Sequence, residues 1–99
     1  MPSITLEIRN RSGLHARPAA LFVQTAMRFE ADVTLANMDR DRRKSSSARS
    51  LLGVLGLGVS RGHRIRIEAN GTDADEALAS LRAMVESGLG EPVVGEAES

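Results

Sequence analysis

Apolar residues recur along this chain with two different periods, and the changes of period mark its elements. Ile4, Leu6 and Ile8 alternate with Thr5, Glu7 and Arg9, as in a strand with one face buried. Asn10 to Gly13 interrupts the alternation with turn-forming residues. From Ala16 the spacing changes. Ala19, Phe22, Val23 and Ala26 fall at i, i+3, i+4 and i+7, which predicts a helix running to about Phe29 with Pro18 in its first turn. Val33 and Leu35 alternate with Thr34 and Ala36 as a second strand, and the charged stretch Asn37 to Arg43 reads as a loop. Lys44 to Ala48 is poor in strand formers, so pattern alone gives a third strand there only weak support.

Ser50 stands before Leu51, Leu52, Val54 and Leu55 as the N-cap of a very apolar helix, kept short by Gly53, Gly56 and Gly58. Arg64 to Ala69 alternates again, with Ile65, Ile67 and Ala69 on one face and Asn70-Gly71 as the turn after it. Asp73-x-x-Glu76 has the form of a capping box. It opens a last helix with the apolar stripe Ala74, Ala77, Leu78, Leu81 and Val85, closed by Ser87-Gly88. From Gly90 onward the composition is that of a loose acidic tail. The order is β-α-β-(β)-α-β-α, with no repeat and no internal linker.

A length of 99 residues suits one domain. Aromatic residues make up only 2% of the chain, so the core must be aliphatic, with Phe22 and Phe29 its only large rings. That scarcity also argues against a base-stacking surface, and 13 basic side chains balanced by 13 acidic ones argue against a nucleic-acid partner held by bulk charge. Cysteine is absent, which excludes thiolate chemistry and cysteine-held metals. His63 is far in sequence from His15, so no metal site is expected. Gly56-Leu-Gly58 follows no strand and lacks a third glycine, so no dinucleotide cofactor is expected either. No apolar run approaches the roughly 20 residues of a membrane span, and the start of the chain has no signal-peptide pattern, so a cytoplasmic protein without membrane insertion is expected.

The chemistry concentrates in Ser12-Gly-Leu-His-Ala-Arg-Pro18, where the first strand gives way to the first helix. A helix start offers unsatisfied N–H groups and the positive end of the macrodipole, both suited to an anion. His15 stands at that point as a nucleophile, Arg17 supplies a guanidinium for phosphoryl oxygens, Ser12 a hydroxyl donor, and Gly13 lets the backbone turn tightly. These parts suit phosphoryl transfer, which depends on positioning and charge stabilisation. On residue type and placement alone, a cap or surface role for His15 is the commoner outcome.

Two stretches carry a closer likeness. Ser12-Gly-Leu-His-Ala-Arg-Pro-Ala-Ala-Leu-Phe-Val-Gln-Thr-Ala26 resembles the active-site motif of the HPr family, the histidine-containing phosphocarriers of the bacterial sugar phosphotransferase system. Ser50-Leu-Leu-Gly-Val-Leu-Gly-Leu-Gly58 resembles the family's regulatory-serine segment, and Glu68 to Leu78 its last strand, turn and helix. The resemblance implies an α+β open-faced β-sandwich: a four-stranded antiparallel sheet with three helices on one face, including the doubtful third strand. It assigns residues 1–91 to the phosphocarrier domain and leaves 92–99 as a flexible acidic tail.

The same resemblance implies a stoichiometric carrier without turnover of its own. His15 would take a phosphoryl group on Nδ1 from phospho-enzyme I and pass it to the enzyme IIA component of a sugar permease. Arg17 would contact the phosphate, with Ser12, Ala16 and Pro18 supporting it. Ser50 matches the regulatory serine, a target of HPr kinase/phosphorylase. Leu51, Leu52 and Leu55 match partner-docking positions, with core packing an even alternative for each. A transient carrier of this kind works as a monomer.

Some features depart from the pattern. The segment before Ser50 is longer than in many relatives and carries Asp39-Arg-Asp-Arg-Arg-Lys44; Ser45, Ser46 and Ser47 crowd the regulatory region. Two other readings stay open: a nitrogen-type or purely regulatory paralogue, and an interaction module that uses the Leu51–Leu55 patch without phosphoryl chemistry.

Overall fold

In the computed structural model, which describes residues 2–41 and 43–91, the alternating segments become four antiparallel strands. These are β1 (Ser3–Glu7), β2 (Asp32–Asn37), β3 (Ser45–Ser47) and β4 (Arg64–Asn70), in the order β1-β4-β2-β3. Register follows the pattern of apolar positions. Leu6 pairs with Ile65, Leu35 with Ile67 and Val33 with Ala69, which puts all six side chains on one buried face. Thr5, Arg64, Arg66 and Asp32 lie on the other, exposed face, where Arg66 and Glu68 form an ion pair at 3.0 Å. A fully buried aliphatic side chain contributes roughly 1.5–3 kcal/mol, so a one-residue slip of β4 would forfeit the contributions of Ile65 and Ile67 together.

Three helices cover the buried face: α1 (Ala16–Ala26), α2 (Leu51–Gly56) and α3 (Ala74–Glu86). The expected stripes are the buried ones. Ala19, Phe22, Val23 and Ala26 face inward from α1, and Ala74, Ala77, Leu78, Leu81 and Val85 from α3. Phe22 is fully buried, and Phe29 packs against the core from its edge. The short β3, built of three serines, pairs with β2 through Leu35 and Ser46. Tertiary pairing overrides poor propensity there.

Two local expectations change. The first helix ends at Ala26, not Phe29, because Arg28 N–H and Phe29 N–H bond three residues back, to Thr25 O and Ala26 O, in a tighter turn. Asp73 is the N-cap residue of α3, but it makes no capping box. Its carboxylate accepts instead from Glu30 N–H at 2.9 Å and Ala31 N–H at 2.8 Å, the amides that leave the α1 turn. These bonds, Glu30 foremost, hold the Asp73 carboxyl below its ordinary range. A donor pair across the fold outcompetes the local cap.

After α3 the chain curls back. Gly88, Leu89 and Gly90 all have left-handed φ, at 94°, 51° and 82°. Leu89 is fully buried, which offsets the strain of a left-handed residue with a side chain. Residues 92–99, expected to be the flexible part of the tail, lie outside the described residues.

Candidate functional site

His15 is the N-cap of α1, in extended conformation (φ −126°, ψ 160°), exposed and without a side-chain cap bond. Among the described residues its ring has no hydrogen-bond partner. The next residue, Ala16, has φ 49°, a left-handed conformation that costs a residue with a Cβ of order 1–3 kcal/mol. Pro18 is buried in the first turn and has no N–H. Ala19 N–H bonds back to His15 O at 3.5 Å, so the amides left open at this helix start are those of Ala16 and Arg17. Arg17 is exposed and bound in no ion pair among the described residues. The His15 ring, the open backbone donors and the Arg17 side chain thus all face solvent at one end of α1.

The loop before His15 rests on the segment that precedes β4. Leu14 N–H donates to Val59 O at 3.0 Å. Gly13, at φ 64°, lies so close that a Cβ on it would sit 2.3 Å from Val59 O and 2.8 Å from Ser60 Cα. Only glycine satisfies both the conformation and the approach.

Ser12 is bonded to the far end of the described chain. Its N–H donates to Glu91 Oε1 at 2.9 Å and its hydroxyl to Glu91 Oε2 at 2.8 Å. Buried Asn10 donates from Nδ2 to Gly13 O and to Glu91 Oε1, both at 3.0 Å. The Asn10 and Ser12 donors, with Arg11 nearby, hold the Glu91 carboxyl below its ordinary range. Glu91 therefore belongs to the site, although composition placed it at the tail's beginning. Its partners are 79 and 81 residues away, and no local pattern signals such a pairing. The left-handed hook of residues 88–90 delivers it, and a Cβ on Gly90 would meet Leu21 Cδ1 at 3.0 Å and Arg17 Nε at 4.0 Å.

The second predicted constellation forms the start of α2, which packs beside α1. Ser50 is its exposed N-cap, and its Oγ accepts from Gly53 N–H at 3.0 Å. Ser46 packs its hydroxyl against Gly53 and donates to Ser47 O at 3.0 Å. Leu52 is 83% exposed, Leu51 42% and Met27, at the end of α1, 61%. Leu55 instead leans on the core and Val54 is buried in it. The even choice between docking and packing thus splits, with Leu51 and Leu52 on the surface and Leu55 largely inward. Met27 is an addition that helix periodicity alone did not single out.

These features define a class: a small open-faced α+β sandwich that presents an unpartnered histidine at the start of its first helix. The family model described as the PTS HPr component phosphorylation site matches residues 2–87, and the chain belongs to that family, the HPr-type phosphocarriers of the phosphotransferase system. It is 44% identical over 84 residues to a multiphosphoryl transfer protein of Escherichia coli O157:H7, covering 85% of this chain and 22% of that protein. The chain thus spans about a fifth of the length of the multiphosphoryl transfer proteins it matches. It is 46% identical over 81 residues to the HPr-like protein Crh of Bacillus subtilis, covering 82% of this chain and 91% of Crh. Among solved structures, HPr-C-His from Thermoanaerobacter tengcongensis superposes with a TM-score of 0.86 at 43% identity, over 94% of this chain and 100% of that one.

Proposed function

We propose that His15 is the carrier residue: its Nδ1 accepts a phosphoryl group from phospho-enzyme I and passes it to an enzyme IIA component of a sugar permease, in the cytoplasm and as a monomer. The observation that carries this reading is the unpartnered, exposed His15 ring beside the open amides of Ala16 and Arg17. A ring nitrogen with no hydrogen bond to break is ready for in-line attack on phosphorus. The N–P bond forms as the donor's own N–P bond breaks, and the spread negative charge meets N–H donors and the Arg17 guanidinium. The chain is the phosphoryl acceptor in the first transfer and the donor in the second, a stoichiometric carrier rather than an enzyme, and neither transfer uses a cofactor. Pro18 supports the site by fixing the first turn, and Ser12 by holding the loop through Glu91.

Leu51 and Leu52, with Met27, form the apolar surface on which enzyme I and enzyme IIA dock, and Ser50 regulates it. A phosphate on the exposed Ser50 hydroxyl meets the Gly53 N–H and adds about two negative charges beside that apolar patch. HPr kinase/phosphorylase is the partner of this arm.

The test is incubation with phosphoenolpyruvate and enzyme I, followed by a search for acid-labile, base-stable phosphohistidine. Label is expected in the native chain, absent from His15→Ala, and passed on to sugar-type enzyme IIA in preference to nitrogen-type. Label that survives His15→Ala sinks the assignment. In a parallel arm with ATP and HPr kinase, phosphate is expected on Ser50, and phosphate on Ser45–Ser47 rejects the regulatory site.

A further inference from the structure

Among the described residues the His15 ring has no hydrogen bond, so the chain beside it is placed by what Gly13 and Leu14 touch. Leu14 bonds to Val59 and Gly13 lies against Val59 and Ser60, which form a wall behind this loop. That wall is a tight turn closed twice by one residue. His63 N–H donates to Ser60 O at 3.0 Å, and Ser60 N–H donates to His63 Nδ1 at 3.1 Å. The same Nδ1 receives a second donor, Asn37 Nδ2, at 3.0 Å. Asn37 is 1% exposed and shares that amide with Leu57 O at 3.3 Å, while its Oδ1 accepts from Asp39 N–H at 3.0 Å. With two donors on Nδ1, the neutral ring carries its proton on Nε2. His63 also anchors the turn to the end of β1, because Ile8 N–H donates to His63 O at 2.8 Å.

We propose that His63 is a positioning residue for phosphoryl acceptance at His15: its Nδ1 gathers the Ser60 amide and the buried Asn37 side chain, and so fixes the wall on which Gly13 and Leu14 set the nucleophile. The proposal rests on the phosphocarrier reading of His15. His63 acts through backbone contacts and never touches the phosphoryl group. A chain of five contacts links it to the site: Asn37 to His63, His63 to Ser60, Val59 to Leu14, Ser60 to Gly13, and Leu14 to its neighbour His15.

The variants are His63→Leu, which keeps bulk but removes the acceptor, and His63→Asn, whose Oδ1 lies the same number of bonds from Cα as Nδ1 of histidine. Three quantities are read on the full chain: the His63 tautomer by long-range proton–nitrogen correlation, hydrogen exchange at the Leu14 amide, and the rate of labelling from phosphoenolpyruvate and enzyme I. The native ring should be the Nε2–H tautomer. His63→Leu should speed Leu14 exchange and slow labelling roughly threefold to tenfold, the scale of a slightly misplaced nucleophile. His63→Asn should restore both.

An Nδ1–H tautomer in the native protein overturns the proposal whether or not the leucine variant folds. So does a folded His63→Leu with native exchange and labelling, or an asparagine variant no better than leucine. A native chain that never labels on His15 instead removes the phosphocarrier reading itself.

Discussion

The two histidines of this chain are both tied to one short segment, the Val59–Ser60 turn, His15 through the Gly13–Leu14 loop and His63 directly, and their surroundings are opposite in kind. His15 is exposed, without a ring partner among the described residues, and followed by a strained left-handed residue. His63 is half-buried, with Nδ1 taken by two donors and its backbone bonded to Ser60 and Ile8. On the reading proposed above, the same imidazole is a nucleophile in one place and a staple in the other. Exposure of the lone pair makes the difference, and the protein leaves His15 free by having the backbone of Gly13 and Leu14, not the ring, make the anchoring contacts. Placement and reactivity are thereby separated.

The largest expected effect comes from removing the fit between that loop and the wall. Gly13→Ala puts a Cβ where Val59 O stands at 2.3 Å and adds the cost of φ 64°. Strain and overpacking of this kind each cost about 1–3 kcal/mol, so a loss of about 2–6 kcal/mol is expected, read as a drop in Tm by calorimetry. A Gly13→Ala variant as stable as the native chain shows that the wall yields freely and that the contrast between the two histidines does not depend on it.

Next in size is the contrast in reactivity itself, tested without any partner protein. Phosphoramidate, a small phosphoryl donor, should label His15 ahead of His63. Two hydrogen bonds to His63 Nδ1 must be lost first, at roughly 1 kcal/mol each, which sets a preference of about thirtyfold. Peptide mapping of the labelled chain measures the ratio, and equal labelling of both rings breaks the comparison.

How much of this was legible in the sequence depends on how local each cause is. The inward faces of β1, β2, β4, α1 and α3 were readable because period two and period 3.6 are set by neighbours a few residues apart. The site's chain-contiguous part, from Ser12 to Pro18, was readable for the same reason. β3 was not readable from pattern, since three serines become a strand only by pairing with Thr34, Leu35 and Ala36. Asp73 misled because a capping box is a local inference, and its carboxylate found donors at Glu30 and Ala31 across the fold. Glu91 and His63 were passed over on similar grounds. One reads as tail composition and the other only as a histidine far in sequence from His15, and both take their contacts from residues that only folding brings near.

The smallest expected effect concerns Glu91, which braces the His15 side alone. Its carboxylate accepts from Asn10 Nδ2, from Ser12 N–H and from the Ser12 hydroxyl, and these donors hold its pKa below the ordinary 4.5. A carboxyl whose folded pKa lies below its unfolded value contributes fully above the unfolded value, and the contribution fades as pH falls through the folded one. Glu91→Gln should therefore cost about 1 kcal/mol at neutral pH, the net worth of weakened hydrogen bonds at a partly exposed site. That deficit should shrink as both proteins are taken below pH 4.5, the ordinary value, because the native carboxyl then loses its charge as well. Thermal unfolding of the pair between neutral and acidic pH measures it, and a deficit independent of pH removes the carboxylate from the account. Since among the described residues the Glu91 carboxylate bonds to Asn10 and Ser12 and not to His63 or its turn, the tautomer signal of His63 should be the same in both proteins, which confines the brace to the His15 loop.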